Sequence, residues 1–175
     1  FYEMTIGSEM NETAAIYKWA SEQPYVDTKN MFLGGHSLGA LLALVEAPHI
    51  QPKATFGWST ALTMLFQAGQ RTRTMRGPTE RGWDIDGLEL SREFMDECAG
   101  MDFLEMVKGY DKPVLLIHGT GDVDIPVESA YALKKVYGDS CELDIVEGAN
   151  HRFLSLPWKK HAYEKTLEFL KNQLD

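Results

Sequence analysis

The chain has few cysteines, and their spacing is not that of a metal site. Its two cysteines, Cys98 and Cys141, stand apart from each other and from any histidine at ligand spacing. Without a Cys-x-x-Cys pair, the sequence indicates neither a disulfide framework nor a zinc site. Isolated cysteines of this kind fit a reducing compartment, so we expect a cytoplasmic protein.

Long apolar runs and basic clusters are missing as well. The longest apolar stretch, residues 40–45, is far shorter than the roughly 20 residues that cross a bilayer. The first residues lack a basic and then apolar signal pattern. A formal net charge of −9, with no run of Lys or Arg, opposes binding to a nucleic-acid backbone or an anionic membrane. We therefore expect no membrane span and no nucleic-acid partner.

The 175 residues, 44% of them hydrophobic, are enough for one domain with a buried core. Four short segments predict strands, at residues 30–35, 54–58, 113–118 and 141–146. Helical patterns lie between and after them. Because strands alternate with helices and contain few polar residues, the sequence predicts an α/β protein with an open parallel sheet flanked by helices. The last helix, from about residue 158, is expected to bury Tyr163, Leu167, Leu170 and Leu174.

Residues 71–110 interrupt this alternation. The segment opens with closely spaced arginines, continues through glycine and proline, and then has two short helical stretches near residues 91–98 and 101–108. We interpret it as a small cap insertion, with residues 1–70 and 111–175 forming the core. Three of its apolar residues, Trp83, Phe94 and Met101, are candidates for lining a pocket.

Residues 35–39, Gly-His-Ser-Leu-Gly, match the pattern Gly-x-Ser-x-Gly. An apolar strand precedes the pattern and a helix follows it directly, which is the context in which it exposes a nucleophilic serine on a sharp turn. Such a turn leaves no room for bulky neighbours, so glycine at Gly35 and Gly39 is expected to be a steric requirement. The sequence predicts Ser37 as the nucleophile.

A serine hydroxyl needs an imidazole to take its proton and a carboxylate to fix the imidazole's tautomer. We expect both in loops at the carboxyl ends of later strands. Residues 118–126 offer Asp122 and Asp124, and we favour Asp122 because Asp124 directly precedes a predicted helix that it could cap. Residues 147–153 offer His151, the only histidine between the last strand and the last helix.

The tetrahedral intermediate of acyl transfer needs backbone N–H donors, and we predict Leu38, directly after the nucleophile, as one of them. The second donor normally comes from a loop before the turn, and no His-Gly or Gly-Gly loop precedes Ser37. The remaining histidines have structural roles by default: His36, His49, His118 and His161. Candidates for contact with substrate are His36, Trp58, Trp83 and Phe153.

These motifs resemble those of the α/β-hydrolase superfamily, and most of all bacterial cinnamoyl or feruloyl esterases and monoacylglycerol-lipase-type serine hydrolases. The resemblance spans the whole chain and rests on residues 3–6, 35–39, 113–126 and 147–153. It implies a carboxylic-ester hydrolase that acts through an acyl-enzyme, without cofactor or metal, on aryl or short acyl esters such as hydroxycinnamates. It also places the acid at Asp122 and the base at His151.

The chain departs from this resemblance at its beginning, because related proteins have several more strands before the one that carries the nucleophile. The strand around residues 31–33 would then form an open apolar edge of the sheet. We expect a second copy in a homodimer, or an N-terminal complement, to cover it. Two other functions stay open: a lipase, thioesterase or peptidase with the same three residues, or a catalytically silent domain that serves as an assembly module.

Overall fold

The computed structural model describes residues 1–62, 75–85 and 87–175. The last residues of the first predicted core segment and the start of the predicted cap, with Arg71 and Arg73, lie outside the described residues. Within the described part of the chain, no helix has both the length and the apolar character needed to cross a membrane.

Strands and helices alternate through most of the chain. The strands are β1 (Phe32–His36), β2 (Ala54–Trp58), β3 (Met75–Pro78), β4 (Gly82–Ile85), β5 (Leu88–Ser91), β6 (Val114–Gly119) and β7 (Cys141–Val146). The α-helices are α1 (Ile6–Ser21), α2 (Leu38–Ile50), α3 (Arg92–Gly100), α4 (Phe103–Met106), α5 (Glu128–Tyr137) and α6 (Leu156–Lys171). Short 3₁₀ helices are at Thr28–Asn30 and Gly138–Ser140.

The four predicted strands form one parallel sheet in the order β1-β2-β6-β7. Each of its three strand pairs is parallel, and the register places His36 opposite Trp58 and Gly119 opposite Val146. The carboxyl ends of the strands therefore lie together at one edge of the sheet. The predicted α/β fold with an open parallel sheet is confirmed. Among the described residues, no strand pairs with the outer side of β1.

Both faces of the sheet are covered, as the nearly continuous apolar sequence of β6 requires. Every residue of β6 is buried. Val114 and Leu116 belong to the cluster that includes residues of α1, α2, α3 and α5. Leu115 and Ile117 belong to the cluster on the opposite face, under α6. The alternation follows from the two-residue period of a strand, which directs neighbouring side chains to opposite faces.

The predicted buried face of α6 is wrong for three of its four residues, whereas Leu170 is partly buried against the cluster under this helix. Tyr163, Leu167 and Leu174 are exposed, whereas Ala162, Thr166 and Phe169 are buried. These three residues recur at the spacing of one helical face and include two small side chains, which let the helix backbone lie close to the sheet. The leucine pattern is displaced by about one residue from the face that makes the contact.

The predicted cap contains both predicted helical stretches, observed as α3 and α4, but three short strands were not predicted. β3, β4 and β5 form a separate antiparallel sheet. Phe94, Cys98, Phe103, Val107 and Tyr110 belong to the main core cluster. The second half of the segment therefore packs with the parallel sheet, because its amphipathic helices bury their apolar faces there.

The two glycines of the Gly-x-Ser-x-Gly pattern differ in their surroundings. A Cβ added to Gly35 would lie 2.4 Å from the backbone carbon of Gly39 and 2.7 Å from the backbone nitrogen of Ala40. A Cβ added to Gly39 would meet nothing within 4 Å. Gly35 thus lets α2 approach β1, and the predicted steric requirement at Gly39 is wrong for the described neighbours.

We expect Gly35→Ala to lower the free energy of unfolding by about 1–3 kcal/mol, because the new methyl group displaces the first turn of α2. Gly39→Ala is the matched control and should be neutral or slightly stabilising, because alanine favours helix over glycine. Urea denaturation followed by circular dichroism measures both. An equal loss of stability in the two variants would contradict this account.

Candidate active site

Ser37 lies on the sharp turn between β1 and α2. Its backbone has φ 57° and ψ −120°, a conformation that residues other than glycine rarely adopt. Two backbone hydrogen bonds hold the turn: the N–H of Ser37 donates to the carbonyl of Trp58 at 2.9 Å, and the N–H of Ala61 donates to the carbonyl of Ser37 at 3.2 Å. The strained geometry is that of a nucleophile turn, in which the serine hydroxyl projects from the carboxyl end of the strand.

Asp122 follows β6, and its side chain is fully buried. Its Oδ1 accepts hydrogen bonds from the backbone N–H groups of Asp124 at 3.0 Å and Ile125 at 2.8 Å. Its Oδ2 lies 2.8 Å from Nδ1 of His151 and 3.3 Å from Nε2 of His118. Burial by itself raises the pKa of Asp122, but the hydrogen bonds from both histidines and from Ile125 outweigh it and hold the pKa well below its usual range.

His151 lies between Asp122 and Ser37. Its Nδ1 is 2.8 Å from Oδ2 of Asp122, and its Nε2 is 3.0 Å from Oγ of Ser37. Because a carboxylate only accepts hydrogen bonds, Nδ1 carries the proton, and Nε2 is then free to accept from the serine hydroxyl. The structure thus brings together the three residues predicted from sequence in the arrangement of a nucleophile, a base and an orienting acid.

Asp124 does not have the capping role predicted for it. α5 begins at Glu128 with Val127 at the N-cap position, and no side chain caps the helix. Asp124 instead lines the cavity next to Ser37. Possible metal-ligand atoms of Asp122, Asp124 and His151 all lie within 4.8 Å of one another. Both oxygens of Asp122 already accept hydrogen bonds, so the cluster is better explained as a hydrogen-bonded site than as a metal site.

The loops that carry Asp122 and His151 are bonded to each other. The N–H of Gly121 donates to the carbonyl of Ala149 at 3.0 Å. A Cβ on Gly119 would lie 2.0 Å from that same carbonyl oxygen. Glycine at position 119 is therefore required for the close approach of the two loops, and this approach places the imidazole against the carboxylate.

His36 also contacts the loop that carries His151. Its Nε2 lies 2.7 Å from the backbone carbonyl of His151, and because a carbonyl only accepts, Nε2 is the donor. The two imidazole rings lie 4.8 Å apart. Burial lowers the pKa of His36, although the hydrogen bond to His151 acts in the opposite direction. His36 thus bridges the nucleophile turn and the His151 loop, in addition to lining the cavity.

A cavity of about 440 Å³ opens beside Ser37 and His151. Its wall is mostly apolar, because the cap and the first residues of the chain contribute hydrophobic side chains. The apolar lining is Phe1, Met4, Leu38, Ala61, Ile85, Leu88, Leu90, Phe94 and Ile125. The polar lining is His36, Ser37, Asp124, His151 and Arg152.

Two of the four predicted substrate contacts are in the core under α6. Phe153 is buried and its ring lies 5.7 Å from that of Trp58. Nε1 of Trp58 donates to Oγ1 of Thr166 at 2.9 Å. Neither aromatic residue is part of the cavity wall described above, because both side chains point to the face of the sheet that α6 covers.

Trp83, the third predicted contact, lies in β4 opposite Leu90 and is also outside the wall described above. Its neighbours in the hairpin, Ile85, Leu88 and Leu90, line the cavity instead. None of these three residues was predicted to line the cavity, nor were Phe1 and Met4. Their short apolar patterns do not show which cavity they face. Their place in the cavity wall is therefore evident only from the packing of the hairpin formed by β4 and β5 against the site.

Comparison with known proteins identifies the family and the fold. A family model described as the prolyl oligopeptidase family matches residues 2–175. Est1E from Butyrivibrio proteoclasticus is 22% identical, with a TM-score of 0.82, and the match covers 97% of this chain and 71% of that one. A structure of Est1E with ferulic acid bound is 20% identical, with a TM-score of 0.80, and covers 98% of this chain and 70% of that one. These matches confirm the resemblance to α/β hydrolases.

Two further relatives agree with this fold. The monoacylglycerol lipase of Paleococcus ferrophilus is 20% identical, with a TM-score of 0.69, and the match covers 98% of this chain and 77% of that one. The non-heme chloroperoxidase CPO-A1 of Kitasatospora aureofaciens is 31% identical over 77 residues, or 43% of this chain. That match spans 28% of the chloroperoxidase's own length.

Asp122→Asn should destabilise the fold in a pH-dependent way. Because the folded-state pKa of Asp122 lies below its usual value of 3.8, the charged carboxylate stabilises the fold above that pH, and this contribution is lost as the pH falls below it. We expect a loss of about 1–3 kcal/mol at neutral pH that shrinks towards about pH 3. Urea unfolding of both proteins across this range measures it. A difference that is constant with pH would contradict the shift.

Proposed function

The chain belongs to the prolyl oligopeptidase family, a family of α/β hydrolases, and from this premise we propose that it is a serine hydrolase that cleaves carboxylic esters through an acyl-enzyme. One observation carries the proposal. Ser37, His151 and Asp122 are linked by hydrogen bonds of 3.0 Å and 2.8 Å at the carboxyl edge of the parallel sheet. A buried carboxylate, an oriented imidazole and a strained serine together are the parts that acyl transfer requires.

In the first step, Oγ of Ser37 attacks the ester carbonyl carbon while its proton passes to Nε2 of His151. A bond forms between Oγ and carbon, and the carbonyl π electrons move to the oxygen. The imidazolium of His151 is stabilised by the charge of Asp122. His151 then returns the proton to the leaving alkoxide as the ester bond breaks. The products of this half-reaction are the alcohol and an acyl group on Ser37.

The backbone N–H of Leu38 is proposed as one donor to the oxyanion. Leu38 is the first residue of α2, and N–H groups in the first turn of a helix have no acceptor within the helix. The positive end of the helix dipole adds to the attraction for developing negative charge. In the second half-reaction, His151 takes a proton from water, and the resulting hydroxide attacks the acyl carbon. His151 then returns the proton to Oγ of Ser37 as the bond between Oγ and the acyl carbon breaks, which releases the acid and restores the enzyme.

Aryl or short acyl esters, such as hydroxycinnamates, are the substrate class that we propose. The apolar wall of the cavity, with Phe94, Leu88 and Ile85, supports a hydrophobic acyl or aryl group next to the serine. The ferulic acid bound to the structurally similar Est1E supports an aromatic acid. No cofactor or metal enters this mechanism.

A peptidase activity is the second candidate, because the matched family is described as the prolyl oligopeptidase family. Amide and ester hydrolysis use the same three residues and differ in the leaving group that the base must protonate. A substrate panel separates them: aryl esters, a monoacylglycerol, an acyl thioester and a dipeptidyl anilide. The greatest kcat/KM among the four classes identifies the activity.

Within the described part of the chain no strand pairs with the outer side of β1, and this supports the proposal of a partner. We expect a second copy of the chain, or an N-terminal complement, to cover this edge, because an exposed strand leaves backbone N–H and C=O groups unpaired. Light scattering should then give the mass of a dimer or of a complex with a second polypeptide. A strictly monomeric chain with no second polypeptide would contradict both the homodimer and the N-terminal complement.

The two cysteines support the proposed cytoplasmic location. Cys98 and Cys141 are both buried free thiols. Burial raises the pKa of each thiol to about 12. Each therefore stays protonated and unreactive as a structural cysteine, as a reducing compartment allows.

The test of the proposed function is hydrolysis of 4-nitrophenyl acetate and methyl ferulate by the wild-type chain and by Ser37→Ala at matched purity. Loss of the nucleophile should lower the rate by at least about 10³-fold. Equal background rates in the two proteins would contradict an esterase activity of this chain and favour a catalytically silent assembly module.

The role of the acid is tested by comparing Asp122→Asn with Asp124→Asn. The first variant should lower kcat by about 10²- to 10⁴-fold, because the amide no longer selects the productive tautomer of His151. The second removes the neighbouring carboxylate and should have a far smaller effect on kcat. A greater loss in Asp124→Asn would reverse the assignment.

A further inference from the structure

His118 is a buried histidine that takes no part in the proton transfer described above. Its side chain is 1% exposed at the end of β6, four residues before Asp122. Its Nε2 lies 3.0 Å from the backbone carbonyl of Ile125 and 3.3 Å from Oδ2 of Asp122. Both neighbours are acceptors, so the hydrogen is on Nε2 and is shared between them. This single N–H therefore contacts the carboxylate oxygen that also accepts from His151.

These polar contacts form a ring around Asp122. The N–H of Ile125 donates to Oδ1 of Asp122, the carbonyl of Ile125 accepts from His118, and His118 also approaches Oδ2. Ile125 and His118 are buried. Oδ1 is anchored by backbone donors, whereas Oδ2 is held by side chains alone, so its direction depends on them.

We propose that His118 is a positioning residue, which holds the loop of Asp122 closed and directs Oδ2 towards Nδ1 of His151. The expected effect of His118 on turnover rests on the proposed function. The positioning of the carboxylate does not, because it concerns only how two histidines share Asp122. His118 is not part of the described cavity wall, so it acts on kcat through Asp122 and not on substrate binding.

A residue that only fills the core would not need these contacts. An aliphatic side chain of similar volume would pack at this depth without the cost of burying a polar ring. The imidazole lies beside the fully buried carboxylate of Asp122: its N–H donates to the carbonyl of Ile125, and its Nε2 is 3.3 Å from Oδ2 of Asp122.

The kinetic test compares His118→Leu, His118→Asn and His118→Gln. Glutamine places an amide N–H near the position of Nε2, whereas asparagine is too short and leucine has no donor. We expect kcat to fall about 10- to 100-fold in the leucine and asparagine variants with KM unchanged, and by less than about threefold in the glutamine variant. If His118→Leu does not fold, His118→Asn carries the same comparison.

Thr166→Val is the matched control. It removes buried hydrogen bonds of Thr166, to Trp58 and Ala162, on the face of the sheet under α6. It should lower the melting temperature without changing kcat. The proposal would be overturned if Thr166→Val lowered kcat as much as His118→Leu does. It would also be overturned if His118→Gln and His118→Leu lowered kcat equally, because His118 would then act only as a core residue.

A second test asks whether His118 acts through Asp122. In an Asp122→Asn background, His118→Leu should change kcat by less than about twofold, because the carboxylate that it orients is gone. Full additivity of the two substitutions would overturn the proposal.

A third readout does not depend on catalysis. Proton nuclear magnetic resonance should show the hydrogen-bonded Nδ1 proton of His151 shifted or broadened in His118→Leu, because Oδ2 is no longer directed towards Nδ1, and close to its wild-type position in His118→Gln. A resonance that is unchanged in His118→Leu, or changed equally in His118→Gln, would overturn the inference, even if Ser37→Ala had shown that the proposed function is wrong.

Discussion

The buried carboxylate of Asp122 is the group on which the arrangement of the candidate site depends. An ionised side chain removed from water costs several kcal/mol unless hydrogen bonds replace its hydration. Here the donors come from the residues that follow Asp122, from the end of β6 and from the loop after β7. Satisfying one acid therefore requires two loops and a strand end to meet. The absence of side chains at Gly119 and Gly121 lets the backbones approach closely enough.

A second constraint acts at Ser37. The positive φ of a non-glycine residue stores strain that only surrounding structure can hold. The neighbouring strand β2 and the residues directly after it supply this support through hydrogen bonds to the turn, and Gly35 lets the start of α2 lie against β1. Parallel pairing with aligned carboxyl ends then brings the strained serine and the buried acid to the same edge of the sheet. His151 spans the gap between them.

Much of this arrangement could be predicted from sequence because it rests on local signals. The strands β1, β2, β6 and β7 coincide with short segments that could be recognised along the chain, of which β6 is the most continuously apolar. Ser37, Asp122 and His151 each follow one of these strands in loops marked by glycine. The failures concern properties that depend on distant contacts. The buried face of α6 follows the sheet and not the leucine pattern, and the start of α5 at Glu128 removes the capping role predicted for Asp124.

The sequence by itself determined the α/β alternation, the nucleophile turn and the order of the three candidate catalytic residues, because strand periodicity, glycine placement and loop position are encoded within short stretches of chain. Tertiary structure alone decided which side chains form the cavity wall. In the folded chain Phe1 and Met4 lie next to the hairpin residues Ile85 and Leu88, whereas Trp58 and Phe153 lie on the face of the sheet that α6 covers. Residues far apart in the chain become neighbours only through packing, and no local pattern records which face of the sheet they will share.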